Sequence, residues 1–298
     1  MTSIMKTFIL AASLLLVAVI GGCEDTPPSA YTAEYIVEGY LVVDEPIGGI
    51  RLTLSQSVAD TFRAQNGIVT DADVRVIAGD RAFLLQYSSG SPDSVGSYSV
   101  ADTSLKVEPN TLYTLEIRTK DGKLITAQTA TPGRVSWIRE PKDTVTIPPK
   151  SDPSFLNPPD SLRLSWTDVA GVPEYLISVR ALDTLEYGKY LPAPIEKANR
   201  RVDPDLDDRF PRYNDLTRWG FLAGLSTPIV WSAFKWYGPQ EVAIWAADDI
   251  MIKWFKMTYW QGNPQYDPLL GNVRGDGIGV FASASVARKQ MFVVMTDR

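Results

Sequence analysis

The chain has 298 residues, 45% of them hydrophobic and 10% aromatic, with 29 basic against 35 acidic side chains and a net charge of −6. That balance argues against a nucleic-acid partner, which needs a basic face, and against electrostatic docking on anionic lipid. Histidine is absent and there is one cysteine, which removes histidine-based catalysis, histidine metal ligands and any intramolecular disulfide.

The N-terminus reads as a targeting segment. Lys6 precedes an uncharged apolar run of 14 residues, 7–20, which suits a signal-peptide core and is short for a bilayer span. Gly21 and Gly22 then lead to Cys23. Ile20-Gly21-Gly22-Cys23 resembles the bacterial lipobox, with Ile20 where that motif usually has Leu. The resemblance implies cleavage before Cys23, diacylation of its sulfur and acylation of the new amine. An ordinary signal peptide with a chance cysteine, or an uncleaved anchor, are the competing readings. Each buried methylene stabilises membrane attachment by about 0.8 kcal/mol and one chain holds only marginally, so several chains on one cysteine would hold durably. Acylation also removes Cys23 from thiolate chemistry. Loss of residues 1–22 leaves 28 basic against 35 acidic residues, a balance of −7.

Residues 23–34 form a polar tether, and residues 35–133 are predicted as a first β-sandwich. A strand over 35–43 turns at 44–49. The next, 50–57, alternates Ile50, Leu52 and Leu54 against Arg51, Thr53 and Ser55, the period-2 pattern of a half-buried strand. Val74 and Val76 alternate before a Gly79-Asp80 turn, and residues 81–87 return as the hairpin partner. Residues 96–100 are a short strand. The next is read with Leu112 on one face, Tyr113 opposite, then Leu115 and Ile117. An Asp121-Gly122 turn leads into 124–131.

Residues 134–298 are predicted as a second sandwich. A strand at 135–140 precedes residues 141–160, whose six prolines predict an extended loop or linker. Leu162, Leu164 and Trp166, a Gly/Pro turn, then Tyr175, Ile177 and Val179 resemble strands B and C of a fibronectin type III-like domain. Residues 182–236 are irregular and predict an insertion over one face. A strand at 240–248 follows, with Asp248 or Asp249 as N-cap of a helix whose apolar face is Ile250, Met251, Trp254, Phe255 and Met257. Two strands, 279–286 and 289–294, end the chain. The predicted fold class is mainly β: two β-sandwich domains, prealbumin-like or Ig-like at the N-terminus and fibronectin type III-like at the C-terminus, with an irregular insertion and one short helix.

Candidate sites are few. Asp203, Asp205 and Asp207 imitate the start of a calcium loop, but Asp208 replaces the needed glycine and Asn214 stands where the bidentate Glu belongs. A solvated acidic loop beside Arg200, Arg201, Arg209 and Arg212 explains them. Gly275, Gly277 and Gly279 lack the third glycine of a dinucleotide fingerprint at Val280, and a strand follows where a helix is needed. Ser232 and Lys235 match S-x-x-K without its partner motifs. No cofactor and no metal site is expected. All eight tryptophans lie from Trp137 onward. Trp166, Trp245 and Trp254 read as core; Trp219, Trp231 and Trp236, with Tyr213 and Tyr237, fall in the irregular region and read as a ligand or partner surface.

Taken together, residues 35–57, 69–80, 110–132 and 275–285 resemble an uncharacterised, domain-of-unknown-function family of lipoproteins from Bacteroidota-type bacteria. Members of that family tend to be encoded beside TonB-dependent outer-membrane receptors. The resemblance implies a lipid-anchored envelope protein, a non-enzymatic partner of such a receptor in nutrient uptake. A structural or adhesive envelope protein is the second reading, and a carboxylate-dependent glycan hydrolase the third. Glu24 and Asp25 after the lipid cysteine resemble surface-export signals, which implies display on the outer face of the outer membrane.

Overall fold

The computed structural model describes residues 31–57, 60–89, 95–182, 216–257 and 271–294. The architecture below lies within one compact unit, Glu34–Ser55 with Phe62–Arg298. It is mainly β, with a large mixed sheet and a small one.

The first seven strands are β1 (Tyr35–Val42), β2 (Gly48–Leu54), β3 (Asp73–Ala78), β4 (Arg81–Ser88), β5 (Ser97–Ser99), β6 (Leu112–Arg118) and β7 (Leu124–Ala130). Alternation sets their faces: Val37, Leu41, Ile50, Leu52, Val74 and Val76 point into one core because successive side chains of a strand alternate sides. In β6 the register differs from the sequence reading. Tyr113, Leu115 and Ile117 are buried together, and Leu112 faces outward at 56% exposure. The phenol decides this, since its hydroxyl accepts from the Glu108 N–H inside and so can be buried at little cost. Gly79, at φ 56°, supplies the left-handed turn that pairs Ala78 with Arg81.

The second part contains β8 (Trp137–Arg139), β9 (Thr144–Thr146), α1 (Pro153–Leu156), β10 (Leu164–Trp166), β11 (Tyr175–Ala181), β12 (Leu216–Leu222), β13 (Ser226–Thr227), β14 (Gly238–Ala247), α2 (Asp249–Phe255), β15 (Arg274–Gly275) and β16 (Gly277–Val294). The small sheet runs β13-β10-β8. Its Leu164 and Trp166 share a core with Ile177 and Val179 of β11, Val242 and Ile244 of β14, and Met291 and Val293 of β16. The proline-rich stretch is not all loop: β9 pairs in parallel with β16, and α1 places Pro153 in its first turn under an Asp152 cap. Pro is tolerated there because that N–H has no intrahelical partner.

The two predicted terminal strands are one. β16 runs unbroken for 18 residues, since Ala287-Arg288 has neither the Gly nor the Asn of a tight turn. Its two halves serve different cores. Its first half pairs in parallel with β1, from Tyr35–Gly277 to Val42–Ala284, and places Phe281 in the first core. Its second half pairs antiparallel with β14 and closes the second core. The large sheet reads β12-β11-β14-β16-β1-β2-β5-β4-β3-β6-β7-β15, and one residue, Asp276, joins β15 back to β16. The first lobe therefore closes on itself only with the C-terminal strand.

Where β7 faces β16, side chains replace a ladder. Asn272 donates to the carbonyls of Gln128 and Phe281 and accepts from the Phe281 N–H. Asp248 accepts from the Ser283 N–H, while its own N–H donates to the Ser283 carbonyl. Thr129 of β7 donates to Asp248 as well. Buried backbone groups must find partners, and along this seam a carboxylate and an amide provide them. Of the two caps the sequence allows, Asp248 is the one that caps α2, accepting from the Met251 N–H at 2.8 Å. α2 covers the sheet face formed by Val280, Ala282 and Ala284.

Candidate functional site

Two of the five aromatics predicted as a surface, Trp231 and Trp236, are packed inside the protein. Tyr213 lies outside the described residues, as do Cys23, Asp203, Asp205 and Asp207, and the Trp219 side chain is not described. Trp231 and Trp236 are buried, at 3% and 8% exposure. Trp231 belongs to the second core and donates its indole N–H to the Ser154 carbonyl. Tyr237 is half-buried against the same core. The physical reason is area: an indole buries more apolar surface than any other side chain, and a 3-10 turn at Trp231–Ala233 turns it inward. Substituting Trp231 with Ala is expected to lower stability by about 3–5 kcal/mol, read as a shift in the urea unfolding midpoint. An unchanged midpoint would return Trp231 to the candidate surface.

A recess of about 270 Å³ lies at one end of the first lobe, lined by Asp44, Arg81, Phe83, Ser104, Leu105, Lys106, Val107, Glu108 and Arg134. The sequence reading singled out none of these as a site. They come from the β1–β2 turn, the start of β4, the connection after β5 and the segment after β7. Their carrier segments are laced together by backbone: Asp44 N–H to the Val107 carbonyl, Val107 N–H to the Glu45 carbonyl and Ile47 N–H to the Leu105 carbonyl. The Thr131 hydroxyl donates to the Glu108 carbonyl at 2.7 Å. The walls are thus fixed by main-chain bonds rather than by their exposed side chains.

Two ion pairs flank the recess. Arg134 grips Asp44 with Nε and Nη2, both at 2.7 Å. Arg81 Nη2 meets Glu108 Oε1 at 2.6 Å, and its guanidinium lies 5.4 Å from the Phe83 ring centroid. Asp44 holds the left-handed backbone, φ 67°, which Asp tolerates better than most residues. The hydrogen bonds from Arg134 hold its carboxyl below the usual range. That is the reverse of what a general acid requires. All four side chains are more than half exposed, so solvent screening leaves each pair little net stabilisation.

Elsewhere, burial pushes the Asp248 carboxyl up, against the opposing hydrogen bonds from Thr129, Met251 and Ser283. Its partners are all structural. Among the described residues no group of three or more Asp, Glu or Cys side chains could hold a metal ion, and no helix is long and apolar enough to cross a membrane.

These features define a mainly β protein whose buried side chains form three clusters, with a shared terminal strand and a charged recess. The chain belongs to the family described as Domain of unknown function (DUF4249), whose profile matches residues 25–230. No curated protein matches it. Among solved structures it is similar to DIP-gamma IG1+IG2, at 7% identity over 90% of this chain and 99% of that chain, with a TM-score of 0.19. It is also similar to an I-band fragment from titin, at 10% identity over 89% of this chain and 65% of that chain, again with a TM-score of 0.19. At that TM-score neither likeness bears on the fold or function of this chain.

Proposed function

We propose that this protein is an outer-membrane-anchored lipoprotein, held through lipid on Cys23, and a non-enzymatic binding or accessory partner of a TonB-dependent receptor in nutrient uptake. The observation that carries the reading is Ile20-Gly21-Gly22-Cys23 at the end of an uncharged apolar run, with Cys23 the one cysteine of the chain. The absence of histidine narrows the catalytic options. Asp44, beside the recess, is held ionised by Arg134, which suits binding better than acid catalysis.

Cys23→Ser is expected to move the protein from the membrane fraction to the soluble fraction after detergent phase separation. Retention in the membrane would remove the lipid anchor. Affinity capture of the acylated protein from solubilised envelopes should recover a β-barrel receptor; capture of no membrane protein would remove the receptor role. Protease treatment of intact cells should digest the chain if it is displayed outside, whereas full protection would place it in the periplasm.

A further inference from the structure

We infer that the recess between Asp44, Arg81, Lys106 and Arg134 binds an oxyanion, the carboxylate or phosphate of a small polar ligand, with Lys106 as its principal partner. The lining carries three cationic side chains and two carboxylates, an excess of positive charge on a chain whose net charge is −6. Both carboxylates are already spent on arginines. Among the described residues the Lys106 ammonium has neither a hydrogen bond nor an ion pair. Arg134 uses Nε and Nη2 on Asp44 and keeps Nη1; Arg81 uses Nη2 on Glu108 and keeps Nε and Nη1.

The unsatisfied capacity of the recess is therefore mostly donors, on Lys106, Arg81 and Arg134, against one unengaged carboxylate oxygen, Glu108 Oε2. A cation would meet the Lys106 charge and find Glu108 Oε2 as its one unengaged carboxylate oxygen. A neutral sugar would seek the Phe83 ring, but Arg81 stands over it. An oxyanion instead receives charge-assisted hydrogen bonds from up to three groups, the strongest kind available. Asp44 and Glu108 hold the two guanidinium planes in place before the ligand arrives, which reduces the ordering cost of binding. The volume, about 270 Å³, is below that of pockets for drug-sized ligands. It suits a single acidic sugar or the charged end of a longer molecule.

The test uses the full mature chain and three probes of similar size: D-glucuronate, glucose 6-phosphate and uncharged glucose, titrated at low salt by ligand-detected NMR. At least one anion is expected to bind while glucose does not, and which anion binds identifies carboxylate or phosphate as the natural group. Lys106→Gln should weaken binding about tenfold and Lys106→Arg should retain most of it. Lys106 is exposed and its ammonium makes no hydrogen bond or ion pair among the described residues, so both variants should fold, as circular dichroism would confirm. Anions binding no better than glucose, or binding unchanged in Lys106→Gln, would overturn the proposal. Either failure leaves the lipid anchor and the receptor reading untouched, because those rest on the N-terminal segment.

Discussion

Replacing Asp248 with Ala should cost the protein about 3 kcal/mol, among the largest losses open to a single polar side chain here. About 1 kcal/mol is the lost N-cap of α2. The rest comes from the Ser283 N–H, left without an acceptor inside the seam, since the Thr129 hydroxyl can still donate to Ser283 Oγ. Chemical unfolding of wild type and variant measures the difference. Asp248→Asn isolates the charge and carries a sign. Burial raises the folded-state carboxyl above its ordinary value, so Asp248 stabilises most when protonated. Its contribution is full below the unfolded value and falls as pH rises through the raised one. The deficit of Asp248→Asn relative to wild type should therefore grow as pH falls from neutrality toward the ordinary carboxylate range. A deficit independent of pH would show that Asp248 does not titrate differently in the folded state. Among the described residues no charged side chain contributes to the Asp248 shift; the groups that act on it are the Thr129 and Ser283 hydroxyls and the Met251 and Ser283 N–H groups.

Gly279→Ala should be at least as damaging, about 4 kcal/mol or more. Gly279 adopts φ 124°, a region that is nearly exclusive to glycine and costs other residues about 1–3 kcal/mol. A Cβ there would lie 2.0 Å from the Val37 carbonyl oxygen and 2.9 Å from the Val37 carbonyl carbon. Those are backbone atoms of the β1–β16 ladder and cannot rotate aside as a side chain would. The variant must part the two strands locally. Hydrogen exchange should show lost protection at both Val37 and its neighbours in β1 and the first half of β16, more than 200 residues away in sequence. Gly122→Ala is the control: its φ is also positive, but an added Cβ meets nothing within 4 Å, so only the backbone term applies.

Both predictions converge on β16 because that strand contributes to all three cores. Its residues from Gly279 to Ser285 are buried without alternation. That is the pattern of a strand covered on both faces, and small side chains at Ala282, Ser283, Ala284 and Ser285 let the cover come close.

What the sequence alone determined was local. Alternating Ile50-Arg51-Leu52 and Val74-Arg75-Val76 specified half-buried strands, Gly79-Asp80 and Asp121-Gly122 specified hairpins, and the Asp248-Asp249 pair specified a helix start. Each signal lies within a few residues of the structure it dictates, through side-chain alternation, glycine geometry or an orphan N–H. The mainly β class followed from their sum. The signal for the lipid cysteine is also local, and it remains the basis of the proposed anchor.

Tertiary structure alone decided what depends on residues distant in the chain. Nothing near Tyr35 signals that β1 pairs in parallel with Gly277 and beyond, because a parallel pairing leaves no turn between the partners to be read. The inward turn of Trp231 and Trp236 depends on which surfaces the second core offered them, so aromatic composition by itself could suggest a binding face where there is packing. The recess escaped notice for the same reason. Asp44, Arg81, Lys106 and Arg134 are ordinary charged residues at four separate turns, and only closure of the first lobe, completed by a strand from the far end of the chain, brings them to one rim.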